Sequence, residues 1–168
     1  MTEIIAITGN NHSGKTTTAT KMAKSLSKRG HSVVVKSFAT PLKVLAAKYF
    51  DYDEENKLAQ RDILETFSFD LKAAFGQSLF AYTLLDECDK LKVDYIIIDD
   101  LRYEEEFELL VEFFPTTVVK TPKPAKVDDA DMIRIKRLTD HFDLIKYEYI
   151  QMKSLSDYAI KDILYGLE

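Results

Sequence analysis

Ile4-Ile5-Ala6-Ile7-Thr8-Gly9-Asn10-Asn11-His12-Ser13-Gly14-Lys15-Thr16-Thr17 decides the fold of this chain. The apolar run Ile4 to Ile7 reads as the middle of a buried strand spanning roughly Glu3 to Thr8. Gly9 to Thr17 then has the spacing of a phosphate-binding loop, a glycine-rich turn that ends in Gly-Lys-Thr. Ala19, Met22, Ala23 and Leu26 follow on one face at helical spacing. Strand, loop and helix in that order make the match strong rather than incidental. Backbone N–H groups of such a loop, helped by the helix N-terminus behind it, cradle phosphate oxygens. Gly9 and Gly14 permit the tight path, Lys15 can reach the β- and γ-phosphates, and the Thr16 hydroxyl can ligate Mg²⁺. Asn10, Asn11, His12 and Ser13 fill the variable positions, and His12 reads as a partly exposed loop residue rather than a catalyst. The loop implies a bound nucleoside triphosphate.

Outward from that stretch, strands and helices alternate. Lys28 and Arg29 end the first helix, with Gly30 as its C-cap. Val33-Val34-Val35 lies in a second strand, Ser32 to Lys36, expected to be buried on both faces. Pro41 opens a helix containing Leu42, Leu45 and Ala46. Asp51 to Asn56 is a polar connection, and Lys57 to Leu91 reads as two helices broken at Gly76. Val93 to Ile98 is a third, very apolar strand ending at Asp99-Asp100. A helix over Glu104–Phe114 faces the core with Phe107, Leu110, Val111 and Phe114, and Thr116–Lys120 is a fourth strand. Thr121–Asp131, rich in proline and charge, reads as a surface segment, with a short helix from about Met132 to His141. Lys146–Gln151 is a fifth strand, and Ser154 caps a last helix packed through Leu155, Ala159 and Ile163. The fold class expected is α/β, a parallel five-stranded sheet with helices on both faces. Ligands in such sheets bind beyond the carboxyl ends of the strands, where the loop, Ser37-Phe38 and Asp99-Asp100 all fall.

The 168 residues fit one domain, 1–168. A single cysteine excludes an internal disulfide framework, and Cys88 in a helical stretch reads as a small buried apolar residue. No signal peptide or membrane-spanning run is visible, so a reducing, cytoplasmic setting is expected. The net charge of −5 argues against a nucleic-acid surface as the main function. His31 and His141 lack partners at ligand spacing, which argues against zinc. Tyr147, Tyr149, Tyr158 and Tyr165 suggest a subunit interface and a homodimer, although a five-stranded sheet also buries such residues.

An acid closing an apolar strand beside a phosphate loop can hold magnesium or a metal-bound water, and Asp99 and Asp100 compete for that role. Arg102 follows, and arginine forks match the charge spread over a transferring phosphoryl group. Arg61, Lys72, Arg134, Lys136 and Arg137 are further cations; Arg61 and Lys72 share a face if their helix is continuous, as do Arg134 and Arg137. Each of these reads equally well as helix-surface charge. Phe38, Phe67, Phe69, Phe75 and Tyr82 can stack on a base, though aromatic residues at helical spacing more often form core.

Four stretches resemble the phage-type deoxynucleoside monophosphate kinases, within the wider P-loop nucleoside monophosphate kinases. They are Gly9–Thr17; Ser37-Phe38-Ala39-Thr40-Pro41-Leu42-Lys43; the helix around Arg61-Asp62-Ile63-Leu64-Glu65 continuing to Gly76; and Asp100-Leu101-Arg102-Tyr103-Glu104-Glu105-Glu106. The loop is shared by very many proteins; the second and fourth stretches together are more specific. The resemblance implies a kinase that moves the γ-phosphoryl of ATP to a deoxynucleoside 5′-monophosphate, with Mg²⁺ held by Thr16 and Asp100. Ser37, Phe38, Lys43, Arg61, Glu65, Phe69 and Lys72 would line the monophosphate side, in a helical region at about 41–91. Asp100 and Arg102 would lie between the two nucleotides, and Glu106 would support Arg102. Arg134 and Arg137 would be supplied by a lid at about 121–141. Glu65 stands where many relatives have glutamine, Lys72 where an arginine is common, and the C-terminal third matches weakly. The same cleft would serve a kinase for another small acceptor, such as dephospho-coenzyme A or a nucleoside. A nucleotide-dependent assembly ATPase is the reading from another class.

Overall fold

The computed structural model describes residues 1–56, 60–76 and 78–121. The fifth strand, the final helix, the subunit-interface tyrosines and almost all of the expected lid, Arg134 and Arg137 included, lie outside the described residues.

Four strands, β1 Glu3–Thr8, β2 Val33–Lys36, β3 Tyr95–Leu101 and β4 Thr116–Lys120, form one sheet in the order β2-β3-β1-β4. All three pairings are parallel. Helix α1, Lys15–Lys28, crosses from β1 to β2. Helices α2 Ala39–Tyr49, α3 Arg61–Phe75 and α4 Leu79–Asp89 connect β2 to β3, with a short 3₁₀ turn at Glu54–Asn56. Helix α5, Glu104–Phe113, connects β3 to β4.

The period-two alternation of the central strands divides the core into two layers. Ile5, Ile7 and Ile97 pack with Ala19, Met22 and Leu26 of α1 and with Val119. Ile4, Ala6, Ile96 and Ile98 pack on the other face with Ala81, Leu84, Leu85 and Cys88 of α4 and with Phe107, Leu109 and Leu110 of α5. Full burial of each such Leu or Ile side chain is worth about 1.5–3 kcal/mol.

Two expectations change. β2 is an edge strand, bonded only to β3 among the described residues, so Val33 and Val34 are half-buried and Val35 is exposed rather than buried on both faces. Helix α3 buries none of its side chains; Phe69 is 73% exposed and Phe75 is 70% exposed, as Tyr82 of α4 is largely exposed, so these three are not core. Phe67 instead meets Phe50, ring centroids 4.8 Å apart, and Phe38 is buried.

Register slips by one residue near the end of β3: Ala6 pairs Ile98, but Thr8 pairs Leu101. The residue inserted at Asp99-Asp100 is a bulge, a device that re-aims side chains beside functional sites.

Candidate functional site

Three chain regions meet at the carboxyl ends of β1, β2 and β3 around one cleft of about 1070 Å³. Its floor is the glycine loop. Gly14 stands at the N-terminus of α1 in the left-handed region, φ 83°, and no side chain caps the helix there. First-turn amides left without a side-chain cap are the groups that receive an anion. Asn11, His12, Ser13, Gly14, Lys15, Thr16 and Thr17 all line the cleft, whereas Gly9 and Asn10 lie beneath it and contribute carbonyls. Lys15 is buried, and its ammonium donates to Gly9 O at 2.9 Å and Asn10 O at 2.8 Å. Both bonds go to neutral carbonyls of the loop, with which an anionic phosphate would compete for the ammonium.

The consecutive acids at the bulge of β3 reach different elements. Asp99 points toward α1, where its Oδ2 accepts from the Thr16 hydroxyl at 2.9 Å. Burial lifts its carboxyl above the usual range, against the lowering effect of that bond. Asp100 points toward α2 and closes its N-terminus. Its Oδ2 accepts from Ser37 Oγ at 2.6 Å and from Ala39 N at 3.1 Å, and its Oδ1 accepts from Phe38 N at 2.8 Å. The resemblance paired Thr16 with Asp100 for magnesium; the structure places Asp99 beside Thr16 and commits Asp100 to the helix. Two hard oxygens 2.9 Å apart beside the loop suit magnesium, which takes one or two protein oxygens and completes its shell with phosphate and water. Among the described residues, no three His, Cys, Asp or Glu side chains gather as a metal-holding group.

Arg102 follows directly after β3. Its guanidinium donates to Asn11 Oδ1 at 3.3 Å, tying it to the glycine loop. Glu106, only 7% exposed, accepts at one oxygen from the backbone N–H groups of Arg102 at 2.9 Å and Tyr103 at 3.1 Å. Glu106 thus supports Arg102 through the main chain, not through the guanidinium. Burial pushes the Glu106 carboxyl up to about 7, opposed by those two bonds and reinforced by the charge of Asp100.

The wall opposite the loop is α3, which is continuous, so Arg61 and Lys72 share a face. Arg61, Leu64, Glu65, Ser68, Phe69 and Lys72 all line the cleft, following helical spacing. Arg61 Nε donates to Glu65 Oε1 at 2.7 Å. The Lys72 ammonium lies 4.3 Å from the centre of the Tyr103 ring and 5.8 Å from that of Phe80. Ser37, Phe38 and Lys43 complete the side nearest α2. Sequence reading missed Tyr52, Leu64, Ser68 and Tyr103. Leu64 and Ser68 could have been found by extending the Arg61–Lys72 periodicity, and Tyr103 by its place beside Arg102. Tyr52, buried in a polar connection, carries no such signal.

No protein-family model matches the chain, and no curated protein matches it. Among solved structures it is similar to a protein designated APE1195, at 17% identity over 93% of this chain and 78% of that one, TM-score 0.38. It is also similar to a cysteine-to-alanine mutant of the APS kinase CysC of Mycobacterium tuberculosis, at 14% identity over 86% of this chain and 97% of that one, TM-score 0.40. A shikimate kinase from Bacteroides thetaiotaomicron shares 12% identity over 98% of this chain and 96% of that one, TM-score 0.42. The fold stands on the chain's own geometry: a parallel sheet flanked by helices, with a Gly-x₄-Gly-Lys-Thr loop joining β1 to α1, is a P-loop-kinase-like α/β fold.

Proposed function

We propose that the protein transfers the γ-phosphoryl group of ATP to a deoxynucleoside 5′-monophosphate, giving ADP and the diphosphate. The observation that carries the reading is a cleft of about 1070 Å³ lined both by a phosphate loop and by a second set of cations, Lys43, Arg61 and Lys72, suited to a second phosphate-bearing ligand. Lys15 moves from the carbonyls of Gly9 and Asn10 to the β- and γ-phosphate oxygens, and the loop amides hold the same group. Thr16 and Asp99 would hold magnesium, which supplies charge neutralisation at the phosphate oxygens. The acceptor monophosphate lies toward α2 and α3, within reach of Lys43, Arg61 and Lys72, its base facing Phe69 and Tyr103. Arg102, bonded to Asn11, lies between the two halves and offers its fork to the transferring group. Asp100 keeps the N-terminus of α2 in place, and Glu106 holds the turn that carries Arg102. The acceptor oxygen is already anionic, so no general base is required. Arg134 and Arg137 remain proposed contributors from the segment after β4.

Coupled detection of ADP release with each of the four deoxynucleoside monophosphates and their ribose counterparts tests the reading. Acceptor-dependent ADP release is expected, lost in Lys15→Ala and reduced at least a hundredfold in Arg102→Ala. ATP hydrolysis that no nucleoside monophosphate accelerates would refute it, as would turnover with an unrelated acceptor alone.

A further inference from the structure

We propose that Thr121 is a positioning residue for nucleotide binding: its hydroxyl pins the phosphate loop to the end of β4. The inference rests on the phosphate-loop reading above. Thr121 directly follows β4 and is 5% exposed. Its backbone N–H donates to Thr8 O at 2.9 Å, continuing the β1–β4 ladder by one rung. Its hydroxyl donates to the same carbonyl at 3.2 Å. The hydroxyl also lies 2.5 Å from Ser13 Oγ, across 108 residues of sequence. Either hydroxyl can donate in that bond. These contacts link Ser13, Thr121 and the Thr8 carbonyl, bridging the loop from its root to the residue before Gly14.

The backbone geometry at Gly9 depends on the same atom. Gly9 has φ +148°, and a Cβ placed there would fall inside van der Waals contact with Thr121 Oγ1 and 2.8 Å from Ser13 Oγ. The first glycine of the loop is thus required partly because the Thr121 hydroxyl occupies the space a side chain would need. The bond engages the Ser13 hydroxyl inside the protein, so Ser13 contributes to phosphate binding by fixing the loop backbone. A loop held from behind in this way pays less ordering entropy when a triphosphate arrives.

The test is calorimetric titration of the full chain with ATP and magnesium, with steady-state kinetics beside it. Thr121→Val keeps size and removes the hydroxyl; it is expected to weaken ATP binding about tenfold, the worth of one buried hydrogen bond. KM for ATP should rise correspondingly while KM for the acceptor stays within twofold. Thr121→Ser restores the hydroxyl and should bind ATP within about threefold of the wild type. Ser13→Ala, a surface-side change that leaves the sheet untouched, should lose affinity to a similar degree even if Thr121→Val folds poorly. The double variant should be no worse than the weaker single one. ATP affinity unchanged in Ser13→Ala and Thr121→Val overturns the inference, as does Thr121→Ser behaving like Thr121→Val. A wild-type chain that binds no ATP overturns the phosphate-loop reading itself, and this inference with it.

Discussion

Glu106→Gln should abolish a pH dependence of stability that runs opposite to ordinary acid denaturation. The Glu106 carboxyl is buried beside Asp100, with Lys72 as the nearby cation and the amides of Arg102 and Tyr103 as its donors. Its folded pKa of about 7 lies above the ordinary 4.5 of a glutamate, so between those values the native state holds a proton that the unfolded chain has released. The stabilising contribution is therefore fully present below about pH 4.5 and lost as pH rises through about 7. Linkage across those two values gives a loss of roughly 2–3 kcal/mol between pH 5 and pH 8, or several degrees in Tm for a chain of this length. Glutamine keeps the shape and one carbonyl acceptor for both amides but cannot ionise. Thermal melts of wild type and Glu106→Gln should lie close together at pH 5 and separate as pH rises to 8, wild type falling below the variant as the Glu106 carboxyl ionises. Parallel curves, differing by a constant within about 0.5 kcal/mol, would show that Glu106 ionises as an exposed carboxyl does and would refute the account of the buried turn.

Asp100→Asn, which sets an amide nitrogen or a weaker acceptor against three donors, should cost about 2 kcal/mol and lower Tm by roughly 4–8 °C. Asp99→Asn, with one bond to an exposed threonine, should change Tm by less than about 2 °C yet cut magnesium-dependent turnover at least tenfold; the reverse pattern would exchange the two roles. Lys72→Met removes the cation over Tyr103, and steady-state kinetics should show acceptor KM rising about tenfold with ATP affinity unchanged; a matching loss of ATP affinity would place Lys72 on the wrong half of the cleft. Cys88 is 1% exposed, and burial pushes its thiol up to about 11, so a chromogenic thiol reagent should label it only after denaturation. Rapid labelling in the native state would contradict the packing of α4.

Much of the fold was legible because it rests on local signals. The boundaries of β1 and β4 and the break at Gly76 follow from apolar runs and helix-end residues that act within a few positions, and so does the end of the first helix, although its C-cap is Arg29 and the left-handed Gly30 follows it. What failed depended on neighbours. Val33–Val35 reads as a doubly covered strand, but a sheet's edge cannot be told from its middle by one strand's composition. Phe69 and Phe75 read as core, yet α3 borders an open cleft and leaves them exposed. Of the candidate site, the residues on a motif or a helical repeat were legible and Tyr52 was not.

The adjacent acids mark the boundary between the two kinds of information. The sequence by itself determined that Asp99 and Asp100 end an apolar strand beside a phosphate loop, where both compete to hold a metal. It could not say which face carries α1. That depended on α1 packing against the Ile5, Ile7 and Ile97 face of the sheet, and on the bulge between Ile98 and Leu101 beside which Asp99 meets Thr16 and Asp100 meets Ser37. The same holds for Thr121. Nothing in its own surroundings marks it, because its partners Thr8 and Ser13 are brought to it only when β4 pairs with β1. Local chemistry wrote the loop, and long-range strand pairing decided what stands behind it.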